Sequence, residues 1–370
     1  MNRYNRHIIL SEIGQIGQDK LSNAKVLVVG AGGLGCPILQ YLAAAGIGTL
    51  GIIDLDVVDI TNLQRQVLYG SSSLGENKAI AAKKRLNDLN NSISINAYAE
   101  KLSYQNALDL FNLYDIIVDG SDNFETRYLV NDACVLSNKP LVFGAIYKFE
   151  GQVSVFNYQN GPTYRCLFPE KPKKDSIPNC AETGVLGVLP GIIGSMQANE
   201  VLKIILGIGQ VLSGKLFCYN ALTLQNTTIN IKKSEKEIEK VLKMHSQFHL
   251  QELHFTCHVL ENSISIQEAL KLEHAQFIDV REAHELPKIT GLNVLQIPLS
   301  DFENQCHKLN PETKKLLFCQ SGIRSKKAVE ILKNKNIHNG FSINEGASEI
   351  YKSTSNKIDT LKTQSWNIKK

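Results

Sequence analysis

Val26-Leu-Val-Val-Gly-Ala-Gly-Gly-Leu-Gly35 is a short apolar, β-type run that breaks into glycines and then into a helical pattern. Gly30, Gly32 and Gly35 stand at G-x-G-x-x-G spacing, with Gly33 among them. A second apolar run, Leu50-Gly-Ile-Ile-Asp54, ends in a carboxylate about 20 residues further on, as a βαβ nucleotide fold requires. Without Cβ atoms the turn lets backbone N–H groups come close to a phosphate at a helix N-terminus, and Asp54 at the strand end can accept hydrogen bonds from ribose hydroxyls. Strand, glycine turn, helix and Asp54 together point to a nucleotide site in an open, doubly wound α/β sheet.

Outward from this unit, polar residues crowd the region just beyond the strand ends, which is where such a sheet binds ligand. Asp54-Leu-Asp56 is followed by Asp59-Ile-Thr-Asn62-Leu-Gln-Arg65-Gln66, then by Gly75-Glu-Asn-Lys78, which opens a helix expected over 79–89. Further strands are expected over 93–99 and 115–119. The latter runs into Asp119-Gly-Ser-Asp122-Asn123, a second acidic strand terminus facing the same crevice. Arg65 and Lys78 are placed for a triphosphate and Asp122 for its Mg²⁺, which usually takes one or two carboxylates plus phosphate oxygens. A nicotinamide dehydrogenase needs the same glycines and Asp54, but has no general need for a cation pair beside the phosphates.

Composition bounds the rest. With 370 residues and 43% hydrophobic content, the chain has enough apolar material for two ordinary domains. No apolar run approaches the length of a membrane span, and the first residues lack a signal-peptide layout, so a cytoplasmic location is expected. A formal charge of +4 gives no ground for a nucleic-acid-coating surface. Eight cysteines in a long cytosolic chain suggest thiol chemistry or metal rather than a disulfide framework.

Arg3-Tyr-Asn-Arg6, Gly30-Ala-Gly-Gly-Leu-Gly35, Asp54-Leu-Asp56, Asn62-Leu-Gln-Arg65-Gln66, Lys78 and Ser121-Asp122-Asn123 together resemble the MoeB/ThiF adenylyltransferases. These are relatives of the ubiquitin-activating enzymes, and they adenylate the C-terminus of a ubiquitin-like sulfur carrier. The resemblance covers about the first 230 residues, including Tyr164-Arg-Cys166, Asn179-Cys-Ala-Glu-Thr-Gly-Val-Leu-Gly187 and Pro190-Gly-Ile-Ile-Gly-Ser-Met-Gln-Ala-Asn-Glu200. It implies that Asp54 holds the ribose and that Arg65 and Lys78 bind the phosphates of ATP. It also implies that Asp122 binds Mg²⁺, and that Arg6 reaches into the partner subunit's site in a homodimer. Asp56, Asn62, Gln66 and Asn123 complete the nucleotide set by the same resemblance. The chemistry agrees: a carboxylate must approach the α-phosphate, so two anions meet, and cations must offset their repulsion.

The chain departs from the family at its metal. Zinc-bearing members carry two C-x-x-C pairs; here the first has become Cys166-Leu-Phe-Pro169 and no second pair exists, so zinc is not expected. His245, His249, His254, His258 and Cys257 follow, and His245 with His249 has helical ligand spacing, which leaves a replacement metal site as a lesser alternative to solvated histidines. Cys180 lies after an irregular run rich in Pro and Lys and before a helix expected over 192–206. In similar proteins the cysteine at this position accepts the activated carrier or its sulfur.

After Asn230 the chain becomes charged with mixed sign, which reads as a domain junction, helical in part. A second α/β pattern then begins, with a helix expected over 265–272, strands over 277–281 and 316–319, and a helix over 326–333. Cys319-Gln-Ser-Gly-Ile-Arg324 ends a strand, enters a helix, and surrounds a thiol with inward N–H groups and a positive helix end. Cysteine phosphatases have five residues between Cys and Arg; Cys319 and Arg324 enclose only four. The tighter ring resembles the rhodanese sulfurtransferases, which carry sulfur as a cysteine persulfide. Ile278-Asp-Val-Arg-Glu-Ala-His-Glu285 and Ile297-Pro-Leu299 are further rhodanese-like features, with Asp279 and Arg281 expected to support the fold by ion pairing.

The expectation is thus a Rossmann-like α/β adenylation domain with a mixed sheet over 1–232, a linker over 233–260, and a smaller α/β rhodanese-like domain over 261–365. The catalytic candidates are Arg6, Arg65, Cys180, Cys319 and Arg324. The expected reaction is ATP-dependent activation of a carrier with a Gly-Gly terminus, then sulfur transfer from Cys319, with sulfur drawn from thiosulfate or a desulfurase persulfide. A nicotinamide-dependent oxidoreductase with a rhodanese-like regulatory tail and a non-catalytic carrier-binding scaffold are the alternatives.

Overall fold

The structure, a computed structural model, describes residues 3–172, 184–250 and 262–354, apart from 273, 290, 291, 321 and 336. The chain divides into two compact units, Met1–Glu252 and Leu253–Lys370. No helix among the described residues is long and apolar enough to cross a membrane.

The first unit is built on an eight-stranded mixed sheet. Its strands are β1 (Lys25–Val29), β2 (Thr49–Ile53), β3 (Ser94–Tyr98), β4 (Ile116–Asp119), β5 (Leu141–Tyr147), β6 (Glu150–Phe156), β7 (Lys215–Asn220) and β8 (Asn226–Asn230), in spatial order β3-β2-β1-β4-β5-β6-β7-β8. The first five of that order are parallel and the rest are added antiparallel. Strand order reverses between β1 and β4, and crevices at the carboxyl ends of such a switch point are where open α/β sheets take ligands.

β1 shows why the apolar run folds as a central strand. Val26 and Val28 belong to one core, Leu27 and Val29 to the core on the opposite face, so the strand is buried on both sides and needs no polar alternation. Helices α1 (Gly35–Ala45) and α2 (Leu189–Leu206) supply the first core. Helices α3 (Ala107–Asn112) and α4 (Phe124–Leu136) supply the second. Glycine ends α1 and α2 in the left-handed conformation, Gly46 at φ +83° and Gly207 at φ +72°.

The stretch expected to link the units is partly folded onto the first one. Helix α5 (Glu235–Lys243) starts at Ser234, whose Oγ accepts from the Glu237 N–H, and it buries Val241. Beyond it Phe248 is fully buried, its ring edge-on to Tyr104 at 4.9 Å, and His249 Nδ1 lies 3.1 Å from the Tyr104 carbonyl oxygen. The charged exterior of α5 dominates its sequence, whereas its apolar stripe is only a few residues wide; the composition therefore reads as linker.

The second unit has a five-stranded parallel sheet in the order β11-β10-β12-β13-β9. The strands are β9 (Ser263–Ile264), β10 (Gln276–Asp279), β11 (Val294–Gln296), β12 (Lys315–Phe318) and β13 (Gly340–Ile343). Its helices are α6 (Ile266–Ala269), α7 (Leu299–Gln305) and α8 (Ile323–Asn334). In β12 the alternation again splits the apolar residues: Leu317 joins Ile278, Phe302 and Leu332, while Leu316 and Phe318 join Phe277, Ile343 and Ile350. The helix expected over 265–272 stops at Ala269, because the next bonds tighten to i→i+3 (Lys271 N–H to Glu268, Leu272 N–H to Ala269) as the chain turns toward β10.

Candidate active site

The glycine turn after β1 is set by backbone against backbone. Gly30 adopts φ +91°, and a Cβ on Gly35 would sit 2.0 Å from the Gly30 carbonyl oxygen, so the first turn of α1 rests directly on the loop. A Cβ on Gly32 would meet only Gln66 Nε2, at 3.6 Å; that side of the turn is open. Gly33 lies beneath Pro190 and the Arg65 side chain.

Asp54 fastens this turn to the end of β2. Its Oδ2 accepts from the Ala31 N–H at 2.7 Å and its Oδ1 from the Asp56 N–H at 2.8 Å. Burial pushes its carboxyl above the usual range, opposed by those N–H groups and by the charge of Lys78. Lys78, only 6% exposed, reaches Asp56 at 3.0 Å. Asn77 holds the loop between them: its side-chain amide donates to the carbonyls of Asp54, Leu55 and Asp56, while its Oδ1 caps the helix Lys78–Leu89 through the Ile80 N–H. The Tyr69 hydroxyl donates to the Ala31 carbonyl at 2.7 Å and lies 3.1 Å from that of Lys78, tying the glycine turn to the start of the same helix.

Among the residues expected at a nucleotide site, Gly30, Gly32, Gly33, Gly35, Asp54, Asp56 and Lys78 therefore form one cluster, with Arg65 and Gln66 across the turn. Arg65 Nη1 donates to the Thr61 carbonyl at 3.0 Å. Gln66 is buried and its Oε1 has no hydrogen-bond partner, an uncompensated acceptor beside the open side of the turn. Asn62 serves the loop itself: its Oδ1 accepts from the Asp59 N–H at 3.2 Å in a reciprocal cap. Asn123 caps α4, accepting from the Thr126 N–H at 2.8 Å, and Asp122 beside it is exposed at the end of β4.

Just inside Asp122 lies Asp119. It is buried, its Oδ1 accepts from the Ser121 N–H at 2.9 Å, its Oδ2 is unpartnered, and burial pushes its carboxyl up. The Gln197 amide donates to the Asp119 carbonyl at 2.8 Å and so ties α2 to the crevice floor. Arg6 is exposed on the short helix Asn5–Ile8, and Cys180 lies outside the described residues.

The second cluster sits in the second unit. Cys319 follows β12 and is fully buried, its Sγ 3.7 Å from Ser325 Oγ, which in turn contacts the Gly322 carbonyl at 3.1 Å and Ser342 Oγ at 2.8 Å. Gly322 takes φ +80° as the N-cap of α8, the conformation that lets the chain bend from loop into helix. Arg324 is held by Glu285 through two parallel bonds of 2.6 and 2.7 Å. That fork pulls the Glu285 carboxyl down to about 2. Arg281 is fully buried and paired with Asp279 at 2.7 Å; it also reaches the Pro287 carbonyl at 2.9 Å and Gln320 Oε1, in the loop itself, at 3.2 Å.

The remaining described thiols lie elsewhere. Cys166 Sγ accepts from the N–H groups of Thr163 and Ser234, both at 3.3 Å, and so joins the helix Tyr164–Leu167 to the start of α5. Among the described residues, no group of three or more His, Cys, Asp or Glu side chains could hold a metal ion. Burial pushes Cys36 up to about 12 and raises Cys134 well above the ordinary thiol value; Cys218 is raised for the same reason.

A glycine turn at the switch point of a mixed α/β sheet, flanked by a buried lysine and strand-end carboxylates, defines a nucleotide-binding protein of the Rossmann-like class. Residues 4–240 match the ThiF family, and the chain belongs to it. It is 51% identical over 241 residues to a protein named sulfur carrier protein adenylyltransferase from Thermus thermophilus, covering 64% of this chain and 89% of the relative. It is 41% identical over 354 residues to a Mycobacterium tuberculosis protein named probable adenylyltransferase/sulfurtransferase MoeZ, covering 92% of this chain and 89% of that one. Among solved structures, E. coli MccB determined with ATP superposes with a TM-score of 0.56 at 27% identity, covering 63% of this chain and 72% of the other.

Tyr69, Asn77 and Gln197 are site residues that the sequence does not single out. Tyr69→Phe removes the one donor shared between the Ala31 and Lys78 carbonyls, and should lower stability by about 1 kcal/mol in urea unfolding. An unchanged midpoint and slope would show that the hydroxyl does not fasten the turn.

Proposed function

We propose that this chain activates the terminal carboxylate of a small ubiquitin-like sulfur carrier as an acyl adenylate and then delivers sulfur to it from Cys319. The observation that carries the reading is the buried Lys78 beside an open glycine turn, on the same chain as a strand-end cysteine loop closed by Arg324. The names of relatives that align along most of the chain favour it over a nicotinamide oxidoreductase or a non-catalytic scaffold.

ATP fits the residues present. The Gly32 side of the turn leaves room for a phosphate, Asp54 keeps acceptor capacity on both oxygens for ribose hydroxyls, and Gln66 offers an uncommitted acceptor. Lys78 and Arg65 neutralise the phosphates, with Lys78 exchanging its exposed partner Asp56 for them. Asp122 would hold Mg²⁺, which supplies further charge neutralisation on the phosphate oxygens. No side-chain base is required, since the carrier's carboxylate is already ionised at neutral pH. It attacks the α-phosphate and pyrophosphate leaves, so catalysis rests on positioning and electrostatics.

The adenylate is an acyl donor with AMP as leaving group: the outer sulfur of a Cys319 persulfide displaces AMP to give an acyl disulfide, and a second thiolate then attacks the Cys319 sulfur, releasing the carrier thiocarboxylate and leaving a disulfide that an external thiol reduces. Only a thin, extended terminus reaches such a crevice, which favours a carrier ending in Gly-Gly. Arg6 would serve the neighbouring subunit of a homodimer, and Cys180 would be a second thiol that accepts the activated carrier or its sulfur.

Arg65→Ala and Lys78→Ala should each lower carrier-dependent pyrophosphate exchange by on the order of a hundredfold, the usual scale for losing a transition-state charge partner. Near-normal exchange in both variants would refute the adenylation reading. Cys319→Ser should leave that exchange intact while ending thiocarboxylate formation, because a serine hydroxyl cannot hold a transferable sulfur; full sulfur transfer by the variant would remove Cys319 from the mechanism. No C-x-x-C pair exists anywhere in the chain, and a tetrahedral Cys₄ zinc site needs two. Elemental analysis should accordingly find no stoichiometric zinc, and about one zinc per chain would contradict this.

A further inference from the structure

The sulfur of Cys319 carries negative charge twice in the proposed cycle: as the thiolate that takes up sulfur, and as the thiolate set free when the closing disulfide is reduced. Cys319 is fully buried, in the core that holds Ile278, Phe302 and Leu332. An anion in such surroundings needs a hydrogen-bond donor close by, because burial penalises charge.

A hydroxyl meets this sulfur. Ser325, in the first turn of α8, is fully buried as well and places its Oγ 3.7 Å from Cys319 Sγ. The same Oγ donates to the Gly322 carbonyl oxygen at 3.1 Å and lies 2.8 Å from Oγ of Ser342, a buried residue of β13. A hydroxyl has one proton and two lone pairs. While Cys319 is a thiol, Ser325 spends that proton on the Gly322 carbonyl and turns its lone pairs to the thiol and to Ser342. Once Cys319 is ionised, rotation about one bond carries the same proton from the carbonyl to the sulfur. Ser342 stays behind it as a donor, since the alternative acceptor for the Ser342 proton, the Ile343 carbonyl, lies at 3.5 Å, long for a hydrogen bond. The two serines thus make a chain of hydroxyls that ends on Sγ, and hydrogen bonds in such a chain polarise one another.

We propose that Ser325 is a further catalytic residue of sulfur transfer: its hydroxyl, oriented by Ser342, donates a hydrogen bond to the Cys319 thiolate. The proposal rests on the sulfur-transfer reading above. In loading from thiosulfate, the thiolate attacks the outer sulfur, an S–S bond forms on Cys319, the S–S bond of thiosulfate breaks, and its electron pair leaves with sulfite. Ser325 keeps its proton throughout; it lowers the energy of the charge on sulfur and forms no covalent bond. Ser342 acts through Ser325 and is a positioning residue.

The test uses the full-length protein and iodoacetamide, an uncharged reagent that alkylates thiolates. The rate constant at Cys319 is read by mass spectrometry of its peptide at pH 7 and at pH 10. A hydrogen bond to a charged partner changes an equilibrium by on the order of ten- to a hundredfold, an effect partly offset because the more basic thiolate is the better nucleophile. The ratio of wild type to Ser325→Ala should therefore be about three to ten at pH 7, and about one or below at pH 10, where ionisation no longer limits. Ser342→Ala should follow the same trend with a smaller ratio, about two at pH 7, because Ser325 keeps its own proton. Gain of one sulfur atom on Cys319 from thiosulfate should slow in step with alkylation at pH 7. A ratio near one at pH 7 for Ser325→Ala overturns the proposal. So does a ratio that persists unchanged at pH 10, which would trace the loss to access, or one below unity at both values, which would trace it to a loosened loop. If Ser325→Ala does not fold, Ser342→Ala decides, and a ratio near one at pH 7 there overturns the hydroxyl chain. Failure of the underlying reading looks different: wild-type Cys319 then gains no sulfur from thiosulfate, although the alkylation ratios behave as stated.

Discussion

Gly30 and Gly35 meet with no room for a Cβ between them, 2.0 Å from a would-be side chain to a carbonyl oxygen. This contact fixes where α1 begins, and with it the direction in which the N–H groups of the turn point. From there the constraint spreads through hydrogen bonds. Ala31 gives its N–H to Asp54 and its carbonyl to Tyr69, Tyr69 approaches the carbonyl of Lys78, and Lys78 reaches Asp56. Two strand ends, one loop and two helix starts are thereby referred to a single backbone contact. A nucleotide crevice needs that rigidity, because donors aimed in advance do not have to reorganise when charge arrives.

The second unit solves a related problem with the same parts arranged differently. A parallel strand ends, a glycine at φ +80° turns the chain, and a helix starts, but the residue at the strand end is a thiol instead of a glycine. The buried pair Arg281–Asp279 and the half-exposed pair Arg324–Glu285 brace this loop from two sides. Breaking the Arg281–Asp279 pair by removing one partner would strand a buried charge, which costs far more than the intact pair contributes.

Much of this architecture was legible in the sequence, and for definite reasons. β1, β2, β4 and β12 are short apolar runs that end in glycine, carboxylate or cysteine, and burial on both faces leaves no competing pattern. Gly30, Gly32, Gly35 and Asp54 are readable because their spacing carries the chemistry. Other features depend on contacts that no local pattern encodes. Tyr69 acts through carbonyls 38 and 9 residues away, Gln197 through Asp119 at a separation of 78, and Glu285 through Arg324 at 39. Asn62 and Asn123 stand within the expected nucleotide set, yet in the fold their side chains cap local turns. Asn and Asp cap helices as readily as they bind ligands, and sequence alone does not separate the two uses. The segment after Asn230 is helical in part and holds the boundary between the units, but the few residues it buries, Val241 and Phe248, are outnumbered by charges and do not stand out in the sequence.

The protonation of the other cysteines bears on the fidelity of any sulfur relay. A persulfide passes its outer sulfur to whichever thiolate reaches it, and the rate depends on the fraction of attacking thiol that is ionised. Cys36 and Cys134 are sealed in the two cores of the first unit and keep their protons far above neutral pH, and Cys218 is shifted the same way. Cys36 and Cys134 are therefore poor interceptors: burial keeps both out of reach and protonated, and neither competes for sulfur in transit.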